Sequence, residues 1–235
     1  MNNINKKTKI FSGAQLKYIA FASMLIDHLN KALIYPNLDG GGMLNRVSDL
    51  FDILGRIAFP IFIFLLIEGY FHTRNKWKYL GTLFLFGIIS EIPFDMCTSA
   101  VFFEPNWNNI MFTLSFVLAI IWFIDVLKRK LNKPLWYFVS FLIVAIMCFV
   151  AMNAGLDYEH HAVLIGYFMY LFHDRYIYSI PFCYASMFKE PWALLGFGLN
   201  LTYNGERGRQ NKLFNYFFYP VHLLVLGIIR MTLHI

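Results

Sequence analysis

The stretch LKYIAFASMLIDHLNKALIY, Leu16 to Tyr35, sets Asp27, His28 and Lys31 inside a segment otherwise apolar enough to cross a bilayer. A charged or titratable group at that depth is costly, so each of the three is a candidate functional residue. The stretch belongs to a membrane helix from about Gln15 to Tyr35 that ends at Pro36 and the turn-rich NLDGGG loop.

Outward from it the same pattern repeats. Further apolar spans run from about Val47 to Tyr70, Tyr79 to Cys97, Ile110 to Leu127 and Leu135 to Met152, with a shorter one from about Ala162 to Phe172. Two short runs follow, Tyr176 to Phe188 and Trp192 to Tyr203, parted by LysGluPro at 189–191, and the last span covers about Phe214 to Met231. The short runs are too brief for a comfortable crossing, so tilting, breakage at Pro181 and re-entry all stay open. Of 235 residues, 58% are hydrophobic and only 14% charged, against roughly 25% charged in an ordinary soluble domain. The expected fold is therefore all-α: one domain over residues 1–235, a polytopic membrane bundle of about nine segments.

The net charge of +6 does not point to nucleic acid, because no basic patch carries interleaved aromatics. It follows the membrane instead. Lys6, Lys7 and Lys9, Arg74, Lys76 and Lys78, Lys128 to Lys133, Arg175, and Arg207, Arg209 and Lys212 all fall on one side if the spans alternate. Arg46, Lys189 and Arg230 fall on the other. Loops rich in Lys and Arg face the cytoplasm, which places the N-terminus inside and the C-terminus outside, in a bacterial cytoplasmic membrane. The basic start MNNINKKTKI resembles a signal peptide but lacks a small-x-small cleavage site, so the first helix is expected to be retained. Cys97, Cys148 and Cys183 form neither a disulfide framework nor a metal spacing. His160 and His161, adjacent and therefore about 100° apart on a helix, make a poor metal pair, and no metal is expected.

At a rise of about 1.5 Å per residue, His28 sits roughly 10 Å below the outer face and Arg56 roughly 13 Å below it. Glu91 reaches a similar level from the other side, with Asp95 one turn further out. So many polar groups in one layer exceed what packing needs and favour a functional site. Individually, Asp27 with Lys31 and Asp52 with Arg56 are spaced as ordinary intrahelical ion pairs, and that reading stays open. His222, behind Pro220 in FFYPVHLL, lies near mid-depth and can line a path to the His28 layer. The loop TYNGERGRQNK joins flexible backbone to Arg207, Arg209 and Lys212, which suits either a phosphate-bearing ligand or an ordinary cytoplasmic loop.

The motifs LKYIAFASMLIDH, GRIAFPIFIFLLIEGYFHTRN, KYLGTLFLFGIISEIPFD, NIMFTLSF, TYNGERG and FFYPVHLL resemble the TraX family, membrane proteins named for the acetylase of F-type conjugative pilin. The resemblance implies acetyl transfer from acetyl-CoA to an acceptor, in the named member the N-terminal amine of pilin. It implies catalytic roles for Asp27, His28, Arg56 and Glu91. His28 would be the general base, oriented by Asp27; Arg56 would stabilise the oxyanion or hold the acceptor; Glu91 would pair with Arg56 or share the proton. Tyr203, Asn204, Gly205, Arg207, Gly208 and Arg209 would hold the coenzyme A phosphates, with Tyr219 and His222 lining the channel for its thioester arm. Departures from the family pattern lie in the outer loops, where a pilin-like acceptor would touch.

Two other classes use the same residues. A proton-coupled transporter would employ the His, Asp, Glu and Arg layer as a relay, although no inverted repeat is visible. A non-catalytic scaffold of a pilus or secretion system would keep the layer for structure alone.

Overall fold

A computed structural model describes residues 9–38 and 40–234; Lys6, Lys7 and Asp39 lie outside the described residues. Among the described residues the structure is helical without a β-strand, and isolated bridges join Phe11 to Tyr203 and Asn108 to Leu156. Ten α-helices follow in order: α1 Gly13–Leu29, α2 Met43–Gly55, α3 Ala58–His72, α4 Lys76–Ser99, α5 Ile110–Lys128, α6 Lys133–Asn153, α7 Glu159–Leu171, α8 Ile180–Ser186, α9 Ala193–Asn200 and α10 Lys212–Leu233. A π-helical turn over Asn30–Ile34 and a 3-10 turn over Tyr35–Asn37 prolong α1 to the proline expected to end it.

The helix starts follow from side chains that supply an acceptor to an orphan amide. Ser12 caps α1 in a capping box with Gln15, and Asn109, Asn132 and Asn211 cap α5, α6 and α10. The second expected span, Val47 to Tyr70, is broken in two. Pro60 would clash with the carbonyl of Arg56 in a continuous helix, and the chain turns at Arg56 and Ile57 before α3 begins. Pro93 and Pro220, by contrast, sit inside α4 and α10.

Five stretches are long and apolar enough to cross a membrane: Met43–His72, Lys76–Ser99, Ile110–Lys128, Lys133–Asn153 and Lys212–Leu233. Phe138, Phe141 and Phe149 stand about 70% exposed on α6, which in water would be untenable and in lipid is ordinary. The chain is a multi-pass membrane protein. The two short runs become α8 and α9, of 7 and 8 residues. At about 1.5 Å per residue each is far shorter than the roughly 30 Å hydrocarbon layer, so neither crosses as a straight helix.

The helices fall into two compact units. The first takes in the described residues up to 65, then 89–104, and those from 189 onward. There α1 packs on α2, with Ser23 Oγ donating to the carbonyls of Leu54 and Gly55 at 2.6 and 3.1 Å and Asn30 Nδ2 to Ser48 O at 3.1 Å. Gly196 of α9 abuts Ile57 O and Pro60, and Gly227 of α10 abuts Met96 and Cys97. The second unit, residues 66–88 and 105–188, is centred on α7, whose Ala162, Val163, Ile165, Tyr167, Met169 and Tyr170 are all buried. Trp136 Nε1 donates to Ile124 O at 2.9 Å there, and Ser140 and Tyr167 share a hydrogen bond of 2.9 Å.

Close approach decides one position. A Cβ on Gly55 would stand 2.6 Å from Asp27 Oδ1 and 2.7 Å from its Cβ, whereas one on Gly81 meets nothing within 4 Å. Gly55→Ala is expected to destabilise the protein by about 1–3 kcal/mol through overpacking. Gly81→Ala, in an open helical position, should be neutral or slightly stabilising. Thermal unfolding of both variants in detergent checks the contrast.

Candidate functional site

Everything expected at the site belongs to the first unit. It begins with how α1 is anchored. The TYNGERG loop lies against the start of that helix: Asn204 N donates to Phe11 O at 2.9 Å, Gly13 N to Glu206 O at 2.8 Å and Ala14 N to Arg207 O at 2.9 Å. Gly205 and Gly208 have φ of 86° and 71°, and a Cβ on Gly208 would stand 2.5 Å from Ser12 Oγ. Asn204 Oδ1 accepts from Glu206 N at 2.8 Å, and the Tyr203 ring meets Phe64 edge-on. The glycine-rich backbone therefore offers the carbonyls of Glu206 and Arg207 to the helix. What it leaves outward are the side chains of Arg207, Arg209 and Lys212, all exposed.

Fifteen residues along α1 from Gly13, about 22 Å at the helical rise, His28 is buried at 7% exposure. Its Nδ1 lies 2.9 Å from His222 Nε2, and His222 Nδ1 lies 2.6 Å from Phe218 O. The His222 ring stacks on Phe218, which stacks on Phe21 with centroids 4.4 Å apart. Tyr219, 1% exposed, places its ring 6.3 Å from that of His28. Among the described residues His28 Nε2 makes no hydrogen bond. The sequence put His222 on a path toward His28; the structure brings the two rings into contact.

Asp27 turns another way. Successive helical residues diverge by about 100°, and its carboxylate is 2.7 Å from Lys31 Nζ, backed by Gly55. The imidazole partner is thus His222, and Asp27 serves the intrahelical pair that its spacing allowed. Arg56, next to Gly55 at the α2–α3 break, is 2.8 Å from Asp52 Oδ1 and 3.0 Å from Glu190 Oε2. Glu91 is half-buried on α4, and Asp95, one turn later and fully buried, accepts from Glu104 N at 2.9 Å. Glu190 escaped the sequence reading because LysGluPro looked like a mere separator, and nothing local ties it to Arg56.

The second unit holds polar groups that the sequence reading also passed over. Glu68 Oε1 meets His173 Nε2 at 2.9 Å and accepts from Tyr176 Oη at 2.7 Å. Asp125 accepts from Tyr70 and Tyr170 at 2.8 and 2.6 Å. The rings of His160 and His161 lie 4.0 Å apart, tilted by 36°, and among the described residues no three His, Cys, Asp or Glu side chains are placed to hold a metal ion.

The family model described as "TraX protein" matches residues 12–230, from the cap of α1 almost to the end of α10. The chain is also 30% identical over 247 residues to a protein of Dichelobacter nodosus named "Probable fimbrial assembly protein FimC, serogroup H1", covering 95% of this chain and 97% of that one. No solved structure matches.

Gly208→Ala combines a strained φ with the Ser12 clash and should loosen the loop from the helix. Amide hydrogen exchange at Gly13, Ala14 and Gln15 is expected to accelerate, while amides of α5 and α7 keep their wild-type protection.

Proposed function

Because the chain belongs to the TraX family, we propose that it is a membrane acetyltransferase moving an acetyl group from cytoplasmic acetyl-CoA to an acceptor amine or hydroxyl at His28. The observation that carries the reading is the His28 imidazole itself. It is buried, held through Nδ1 by His222, and left with an uncommitted Nε2. A ring nitrogen held in that way is what general-base catalysis requires.

In the proposed step the acceptor lone pair forms a bond to the thioester carbonyl carbon while Nε2 takes the acceptor proton. Collapse of the tetrahedral intermediate breaks the C–S bond, and the departing thiolate of coenzyme A receives that proton from Nε2. Arg207, Arg209 and Lys212 would hold the phosphates, since these cations stand exposed at the loop that anchors the start of α1. The roughly 22 Å along α1 between that anchor and His28 suits an extended pantetheine arm, which Tyr219 would flank. Arg56 and Glu91 would hold the acceptor, Arg56 by releasing one of the two carboxylates that grip it. The named relative's role in fimbrial assembly points to a pilin-like subunit as the acceptor.

The same proposal includes placement: a bacterial cytoplasmic membrane, with the N-terminus inside and nine apolar segments. Of these, α8 and α9 make jointly an even number of crossings or none, which keeps Arg175 and Arg207 on one side. Single cysteines replacing Lys130 and Ala154 in a cysteine-free background should label from opposite faces in inverted and right-side-out vesicles. Labelling of both from one face rejects the orientation.

Purified protein in detergent is expected to bind acetyl-CoA and hydrolyse it slowly. His28→Ala should bind without turnover, with a loss of about 10²–10⁴-fold in rate, and Arg207→Ala with Arg209→Ala should raise the dissociation constant. A wild type that ignores acetyl-CoA ends the transferase reading and leaves an assembly role without chemistry.

A further inference from the structure

Taking that reading of His28 as its premise, we infer that His222 is a positioning residue that selects the reactive tautomer of His28, with a neutral imidazole in the place where a carboxylate would ordinarily stand. The hydrogen-bond roles leave one solution. Phe218 O can only accept, so His222 Nδ1 carries a proton and donates to it at 2.6 Å. In a neutral ring the other nitrogen, Nε2, is then a lone pair. The 2.9 Å contact from that lone pair requires His28 Nδ1 to be the donor. His28 Nε2 is therefore unprotonated and able to take a proton.

This tautomer is not the one a free histidine prefers in water, where Nε2 carries the proton. Selection comes from fixed geometry. The carbonyl sits one helical turn before His222 on the same helix, and the Phe21–Phe218–His222 stack holds the ring plane. Asp27 cannot do this work, because its carboxylate lies on Lys31 and against Gly55. When His28 accepts a proton, the Nδ1–H bond to His222 becomes charge-assisted and strengthens as positive charge develops.

The inference needs a readout that a purely structural role would not move. Protein labelled with 15N-histidine contains seven histidines, and His28 is assigned by the signal lost in His28→Gln. Nitrogen shifts in the wild type are expected to show His28 protonated on Nδ1. In His222→Phe, which removes the acceptor and keeps a ring for the stack, His28 should revert toward Nε2 protonation. Acetyl-CoA hydrolysis by that variant should fall about 100-fold in kcat with KM unchanged, and His222→Gln, whose amide oxygen can accept from Nδ1–H, should recover part of it. Wild-type His28 protonated on Nε2, or a tautomer indifferent to His222→Phe, overturns the inference. The two ideas separate cleanly: absent turnover in the wild type removes the transferase reading, whereas the wild-type nitrogen shifts decide the role of His222 by themselves.

Discussion

Lipid gives the backbone nothing to bond with, so each interruption of a helix at depth needs a partner from within the protein. The first unit shows this constraint at the α2–α3 break. Pro60 stops the helix from running through Arg56, and carbonyls at the end of α2, those of Leu54 and Gly55, are met by Ser23 of α1, while Pro60 O, inside α3, accepts in addition from Asn200 of α9 at 2.9 Å. Those bonds bring α1 and α9 onto the break, and the approach is close enough that Gly55 and Gly196 leave no room for a Cβ. The position of Asp27 and the enclosure of Arg56 between Asp52 and Glu190 follow from the same fit.

The other end of α1 obeys the same rule with a different device. Its first amides are taken by carbonyls of the TYNGERG loop, and the loop can turn its oxygens inward because Gly205 and Gly208 adopt positive φ. As sequence the loop reads as flexible backbone beside cations. In the structure the carbonyls of Glu206 and Arg207 are committed to α1, and the side chains of Arg207, Arg209 and Lys212 stand exposed beside that anchor.

Apolar runs and proline stops made the helices legible in the sequence, because each is a local property of chain chemistry. Arg56 with Asp52 and Asp27 with Lys31 were legible for the same reason, being one turn apart. The break at Arg56 was written in Pro60, but a long apolar run concealed it. What local pattern could not supply was pairing across the chain. His222 on His28 depends on how α1 and α10 pack, and Glu190 on Arg56 on how the segment before α9 meets the α2–α3 break; neither leaves a periodic trace. His222 was visible as a polar residue at a useful depth, and only geometry turned it from a channel wall into the neighbour of His28.

The choice of a histidine as that neighbour has a physical reason. A carboxylate beside an imidazole in a low-dielectric layer is a buried charge in the resting protein, and its desolvation is repaid only by excellent pairing. Two neutral imidazoles hold no resting charge, so the His28–His222 contact is polar without adding to the ion pairs of Asp27 with Lys31 and of Arg56 with Asp52 and Glu190. Under the proposed transfer, charge would develop on the pair only in the transition state, when the proton reaches Nε2 and the bond from Nδ1 to His222 Nε2 can respond. The energetic gain of such a step would then fall where it is needed, since an interaction stronger in the transition state than in the ground state is what accelerates a reaction. A carboxylate partner would supply a stronger pull on the proton, at the expense of a resting charge against His28; under the proposed reading the His28–His222 pair would exchange some of that pull for a contact that is neutral at rest.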